Sequence, residues 1–201
     1  MYLAMQGKLV KGVFHIGAHE CEEKTAYNDA EISDQNIVWI DGNDTKIQEM
    51  KQKYPGIRVY TALIDEVERD VTFNITNNGQ SSSILPLDTH SKHYPDIVVS
   101  EQRTLKTISV KQFIETNTIQ MENLNFWNLD IQGVELSALK GAGEYLKYAD
   151  AIYTEVNVET LYKGCALLPE LDAFLKTKGF ERVAMKLMEQ GWGDALYVRT
   201  K

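Results

Sequence analysis

Short apolar runs alternate with helical stretches along almost the whole chain, and this alternation limits the fold more than any other feature. Val13-Phe14-His15-Ile16 ends at Gly17, as a buried strand entering a turn does. A helix is expected through Glu22 to Ala30. Ile37-Val38-Trp39-Ile40 forms a second strand that ends at Asp41. Asn43 or Asp44 caps the next helix, which carries Ile47, Met50 and Tyr54 on one face and stops at Tyr54-Pro55-Gly56. Ile57 to Ile64 is a third strand, and Val71 to Ile75 an extra edge strand. Residues 77–100 read as an irregular loop, long enough to suggest a functional role. Ser109 opens a short helix with a capping-box pattern to Gln112. Leu124 to Ile131 and Ala151 to Val156 are strands, each followed by a helix. The first of these helices is marked by Leu136, Leu139, Ala142 and Leu146. The second is marked by Leu168, Leu171, Phe174 and Leu175 and closes at Gly179. Phe180 to Met188 and Ala195 to Arg199 follow with no helix between them, so they pair as a terminal hairpin. The expected fold class is α/β: a seven-stranded, mostly parallel sheet with helices on both faces and an antiparallel C-terminal hairpin.

A chain of 201 residues, 43% hydrophobic and 25% charged, suits a single domain over residues 1–201. The net charge of −8 disfavours nucleic acid as a partner, because phosphate affinity rests on clusters of Lys and Arg. Cys21 and Cys165 form no Cys-x-x-Cys pair, which leaves no zinc signature and fits a reducing compartment. No apolar run approaches the roughly 18 residues of a membrane span, and the N-terminus lacks a signal pattern. The expectation is a soluble, cytoplasmic protein that engages no membrane.

In open α/β sheets, ligands bind beyond the carboxyl ends of the strands. Gly17 at the first tip lets the backbone approach a ligand, or simply serves the turn. The phosphate-cradling G-x-G-x-x-G pattern is absent there. Asp41 at the second tip suits the two ribose hydroxyls of an adenosyl group; the plainer role is to cap the following helix. Asp130 and Glu155 close neighbouring strands, so both tips should face one crevice. Glu135 lies in the first turn of a helix, where an acid is favoured by the macrodipole. His19, His90 and His93 are further candidates for proton transfer, with capping or a solvated loop as the plain alternative. His19, Glu20, Glu22 and Glu23, and separately Asp130 with Glu155, are dense in ligand atoms. Acidic runs at helix starts are commonly solvated, and no metal is assigned.

The block Leu129-Asp130-Ile131-Gln132-Gly133-Val134-Glu135-Leu136-Ser137-Ala138-Leu139-Lys140-Gly141-Ala142 resembles the signature of the FkbM-type methyltransferases. That signature is Asp, two residues, Gly, one residue, Glu, then Leu-Lys-Gly-Ala. Phe14 to His19, Gly79-Gln80-Ser81-Ser82-Ser83 and Gly193 to Val198 support the resemblance, which spans Val13 to Arg199. The chain departs from the pattern at His15, where an acid is common, and at Cys21, where a second glycine is common. The resemblance implies a Rossmann-like class I methyltransferase sandwich, with the terminal hairpin as its antiparallel intrusion. It implies S-adenosylmethionine as cofactor, S-adenosylhomocysteine as product, and O-methylation of a hydroxyl on a small molecule, sugar or glycan. Carried over by position, His15, Gly17 and Ala18 line the cofactor, Asp41 holds the ribose, and Ala62 and Leu63 flank the adenine. Ser82 and Asp130 complete the cofactor set, and Asp130, Glu155 and His19 are the catalytic candidates. The rivals are a catalytically inactive Rossmann-like binding domain and an NAD-dependent oxidoreductase. Methylation of an amino nitrogen is disfavoured, because no Asn/Asp-Pro-Pro-Tyr run follows the fourth strand.

Overall fold

The structure is a computed structural model that describes residues 9–200. One sheet holds seven strands in the order β3-β2-β1-β7-β8-β10-β9. They are β1 (Val13–Ile16), β2 (Ile37–Asp41), β3 (Arg58–Thr61), β7 (Phe126–Leu129), β8 (Ala151–Asn157), β9 (Phe180–Leu187) and β10 (Trp192–Arg199). β1, β2, β3, β7 and β8 run parallel, while β10 inserts antiparallel between β8 and β9. The terminal hairpin and mostly parallel sheet expected from the sequence are therefore present. The helices are α1 (Lys24–Asp29), α2 (Asp44–Lys53), α3 (His90–His93), α4 (Val110–Thr116), α5 (Glu135–Gly141) and α6 (Leu168–Thr177).

Period-two alternation in β1 splits the core into two layers. Phe14 and Ile16 pack with Trp127, Leu129, Phe113 of α4 and Leu139 of α5. The Phe14 and Trp127 ring centroids lie 5.1 Å apart. Val13 packs on the other face with Tyr27 of α1, Trp39, and Ile47 and Met50 of α2. Asn43 starts α2 by accepting from the N–H groups of Thr45 and Lys46, as the sequence suggested. Ser109 likewise accepts from the Gln112 N–H at the start of α4.

Three expectations change. The third strand breaks at Ala62, whose N–H donates to the Asp41 carbonyl at 2.9 Å. Beyond it the chain enters a second, three-stranded sheet of order β4-β6-β5, with β4 at Leu63–Asp65, β5 at Asp70–Thr76 and β6 at Val99–Ser109. Val71 to Ile75 thus lies in β5 at an edge of this second sheet. The 77–100 stretch is not wholly irregular, since it contains α3 and the start of β6. Most of β6 from Val99 to Lys106 is exposed, so no alternating apolar pattern marks it. Among the described residues, no helix is long and apolar enough to cross a membrane.

β1 and β7 meet at their tips. The Asp130 N–H donates to the Ile16 carbonyl at 2.9 Å. Gly17 sits at φ +94°, and a Cβ there would overlap the carbonyl oxygen of Asp130. The glycine is needed for backbone-to-backbone approach as well as for its conformation. Gly17→Ala is expected to destabilise the protein by about 2 kcal/mol or more. Urea denaturation measures this, and a change below about 0.5 kcal/mol would remove the steric argument.

Candidate active site

A cavity of about 440 Å³ opens beyond the carboxyl ends of β1, β2, β7 and β8. Gly17, His19, Asp41, Ala62, Leu63, Ser82, Asp130 and Glu155 all line it. The structure therefore gathers most of the residues singled out in the sequence around one space. Among the residues assigned to the cofactor or to catalysis, His15 and Ala18 are the exceptions; His93, Glu20 and Glu135 also lie outside the lining, with His93 Nε2 3.5 Å from Glu159. His15 is 1% exposed and faces the α1–α2 layer, because it is out of phase with Phe14 and Ile16 on β1. Its Nδ1 lies 3.0 Å from the Tyr27 hydroxyl, which also accepts from Asn128 at 2.7 Å, and its ring lies 4.7 Å from that of Trp39. Burial lowers its pKa to about 4, so it is a neutral core histidine. Ala18 is buried in the same layer, and its N–H is taken by the Ile40 carbonyl.

The carboxylate of Asp41 accepts from the His19 N–H at 2.8 Å and the Asn43 N–H at 2.7 Å. Each oxygen has one backbone partner and keeps lone-pair capacity toward the cavity. The bond to His19 helps hold the turn after Gly17, where His19 adopts φ +38°. His19 Nδ1 then donates to Glu22 at 2.7 Å, leaving Nε2 buried and unpaired. Gly79 at φ +76° faces that nitrogen, and a Cβ there would approach it to 2.8 Å.

Asp130 and Glu155 stand on adjacent strands, with Leu129 in register with Thr154. Gln132 bridges them: its amide nitrogen donates to Asp130 Oδ1 at 2.5 Å and to Glu155 Oε2 at 2.9 Å. The Gln132 Oε1 lies 2.5 Å from the Tyr162 hydroxyl, which is also 3.2 Å from the Ser81 carbonyl oxygen. Gln132 reaches this position at φ +56°, followed by Gly133 at φ +96°. Glu135 accepts from the N–H groups of Ile131 at 3.0 Å and Gly133 at 3.1 Å, which shapes the loop that aims Asp130 and Gln132. Glu135 is thus a buried brace for the loop. Gln132 and Tyr162 were not evident from the sequence. The Gln-Gly pair signalled a turn, but nothing local linked Tyr162 to it.

Desolvation by the surrounding protein raises the pKa of Asp130, Glu135 and Glu155. The negative charge of Asp130 raises Glu155 and Glu135 further. Asp130 is exposed where it meets the cavity, whereas Glu155 is 6% exposed. Two carboxyls this close disfavour the doubly charged state. Among the described residues, no group of three or more His, Cys, Asp or Glu is arranged to hold a metal ion.

Residues 15–182 match the family model described as the methyltransferase FkbM domain. No curated protein compared with the chain matches it. Among solved structures, the chain is similar to magnesium protoporphyrin IX methyltransferase from Synechocystis PCC 6803 with bound SAM. The identity is 13%, the TM-score 0.49, and the match covers 99% of this chain and 75% of that one.

Glu135 is 4% exposed, and burial pushes its pKa up from 4.5 to about 7. Between these values the folded protein retains a proton that the unfolded chain has lost. Stability should therefore fall as pH rises through this window. In Glu135→Gln the amide oxygen can still accept from Ile131 and Gly133. This variant should flatten the loss of urea stability between pH 5.5 and pH 7.5, by on the order of 1 kcal/mol. An unchanged pH slope would show that Glu135 does not carry it.

Proposed function

The chain belongs to the FkbM family of S-adenosylmethionine-dependent methyltransferases, and from that premise we propose that it methylates a hydroxyl group of a sugar or glycan. The observation that carries the cofactor fit is the charge of the cavity. Glu22, Glu23, Asp41, Asp130 and Glu155 line it, and none of the lining residues is Lys or Arg. This wall suits a ligand with sulfonium and ammonium charges. It opposes the pyrophosphate of a dinucleotide, which argues against the NAD reading.

Asp41 would hold the ribose hydroxyls, Ala62 and Leu63 the adenine, and Ser82 the loop side of the ligand. S-adenosylmethionine supplies an activated methyl on sulfur. The protein's own part is alignment of the acceptor oxygen and removal of its proton. Alignment contributes up to about 7–11 kcal/mol in well-oriented systems. The Asp130–Glu155 pair is the proton-accepting group of this reading. In its singly protonated state, Gln132 fixes both carboxyl groups while one oxygen remains available to the acceptor hydroxyl. His19, braced by Glu22, offers its free Nε2 as a second hydrogen-bonding group on the ligand. The bridged carboxyl pair argues against the inactive binding domain, since a scaffold has no use for two close acids whose surroundings disfavour their charge.

Calorimetric titration with S-adenosylhomocysteine and with NAD tests the cofactor. Micromolar binding of the first alone is expected, and NAD binding alone would overturn the reading. Asp41→Asn should weaken S-adenosylhomocysteine about 10- to 100-fold without loss of fold, whereas equal affinity would remove Asp41 from the site. With a panel of methyl glycosides as acceptors, Asp130→Asn should lower turnover by about 10²-fold or more. Methyl incorporated into amines but not hydroxyls would reject O-methylation.

A further inference from the structure

His90 is buried, 4% exposed, and lines the cavity, yet its Nδ1 has no hydrogen-bond partner. It is not one of the residues assigned above to the cofactor. The ring is held on two sides, 5.0 Å from Tyr94 and 5.4 Å from Tyr162 between centroids. Its helix is fastened from below: the Asp88 N–H donates to the Leu161 carbonyl at 2.8 Å, the His90 N–H does so at 3.3 Å, and Leu87 bridges to Tyr162. From the sheet, the indole N–H of Trp192 donates to the Tyr94 hydroxyl at 2.9 Å. The result is a fixed bay of His90, Tyr94, Leu161 and Trp192 opening on the same cavity as Asp130 and Glu155.

A buried nitrogen held this rigidly without a partner is costly unless a ligand completes it. Burial lowers the His90 pKa, with the nearby His93 adding to the shift, so the ring is neutral at neutral pH. A neutral imidazole nitrogen donates or accepts according to tautomer. A hydroxyl can answer either form, whereas an ammonium or a carboxylate answers only one. The flanking aromatic rings offer apolar faces to a ring-shaped ligand.

We propose that His90, with Trp192 and Tyr94, forms the acceptor subsite and selects a polyhydroxylated ring, holding a second hydroxyl at His90 Nδ1 while the reacting hydroxyl lies at the Asp130–Glu155 pair. This rests on the O-methyltransferase reading and makes His90 a specificity-determining residue. It predicts that a ring with one hydroxyl is a poorer ligand than a polyol of similar size.

The test uses ¹⁵N-labelled protein saturated with S-adenosylhomocysteine, titrated with methyl β-D-glucopyranoside and, separately, with cyclohexanol. The glucoside should shift both the His90 ring nitrogens and the Trp192 indole N–H. Cyclohexanol should bind more weakly and leave the His90 nitrogens unmoved. His90→Phe should weaken the glucoside about tenfold, the loss of one hydrogen bond to a neutral group, with S-adenosylhomocysteine affinity unchanged. Glucoside binding that leaves His90 unshifted, no glucoside binding at all, or equal affinity in His90→Phe would overturn the proposal. The wild-type shifts decide it even if the variant fails to fold. Failure of S-adenosylhomocysteine to bind would instead sink the methyltransferase reading, and the subsite with it.

Discussion

The approach of two backbones at the tips of β1 and β7 is the constraint on which the site depends. Gly17 lies against the Asp130 carbonyl, and the Asp130 N–H closes on Ile16. With any Cβ at position 17 one of these tips would have to move. Because β1 and β7 are the central neighbours of the sheet, the crevice opens between their turns, as expected where a parallel sheet changes direction. Asp41 on one side and Glu155 on the other are then placed by strand register alone. The loops that follow need only aim their side chains.

That aiming uses buried acids in two different ways. Glu135 accepts the Ile131 and Gly133 N–H groups at one oxygen, Oε1, and so fixes the loop. Asp130 and Glu155 keep their faces toward the cavity and are restrained through Gln132 and Tyr162. The cost is like charge in a poorly solvated place, which raises all three carboxyl pKa values. Stability alone would favour apolar replacements. A concentrated negative wall is useful when the ligand brings positive charge that grows accessible only inside the crevice.

The second sheet and α3 close the far side. β5 and β6 carry the 77–83 loop to the mouth, where Ser83 donates to the Gln132 carbonyl at 2.8 Å. Thus the same residue that bridges the acids also anchors the loop over them. α3 meets the 159–165 segment and Trp192, so the aromatic bay is assembled from three distant parts of the chain.

The strands of the main sheet, the terminal hairpin and the tip residues Gly17, Asp41, Asp130 and Glu155 were legible because buried strands and their turns leave local marks: apolar runs, a glycine, an acid. β6 left none, since most of it is solvated and its order comes from pairing with β4 and β5. The side to which His15 points depends on strand phase relative to the layers, and packing against Tyr27 and Trp39 settles it away from the cavity. Gln132 with Tyr162, and Tyr94 with Trp192, are contacts across 30 and 98 positions, which no local pattern encodes. The sequence by itself determined the layered α/β frame and the acids at its strand ends, because periodicity and turn chemistry act within a few residues. Only tertiary structure decided which acids Gln132 bridges, which nitrogen stays unpaired and which histidine is core, because those depend on distances set when remote segments pack.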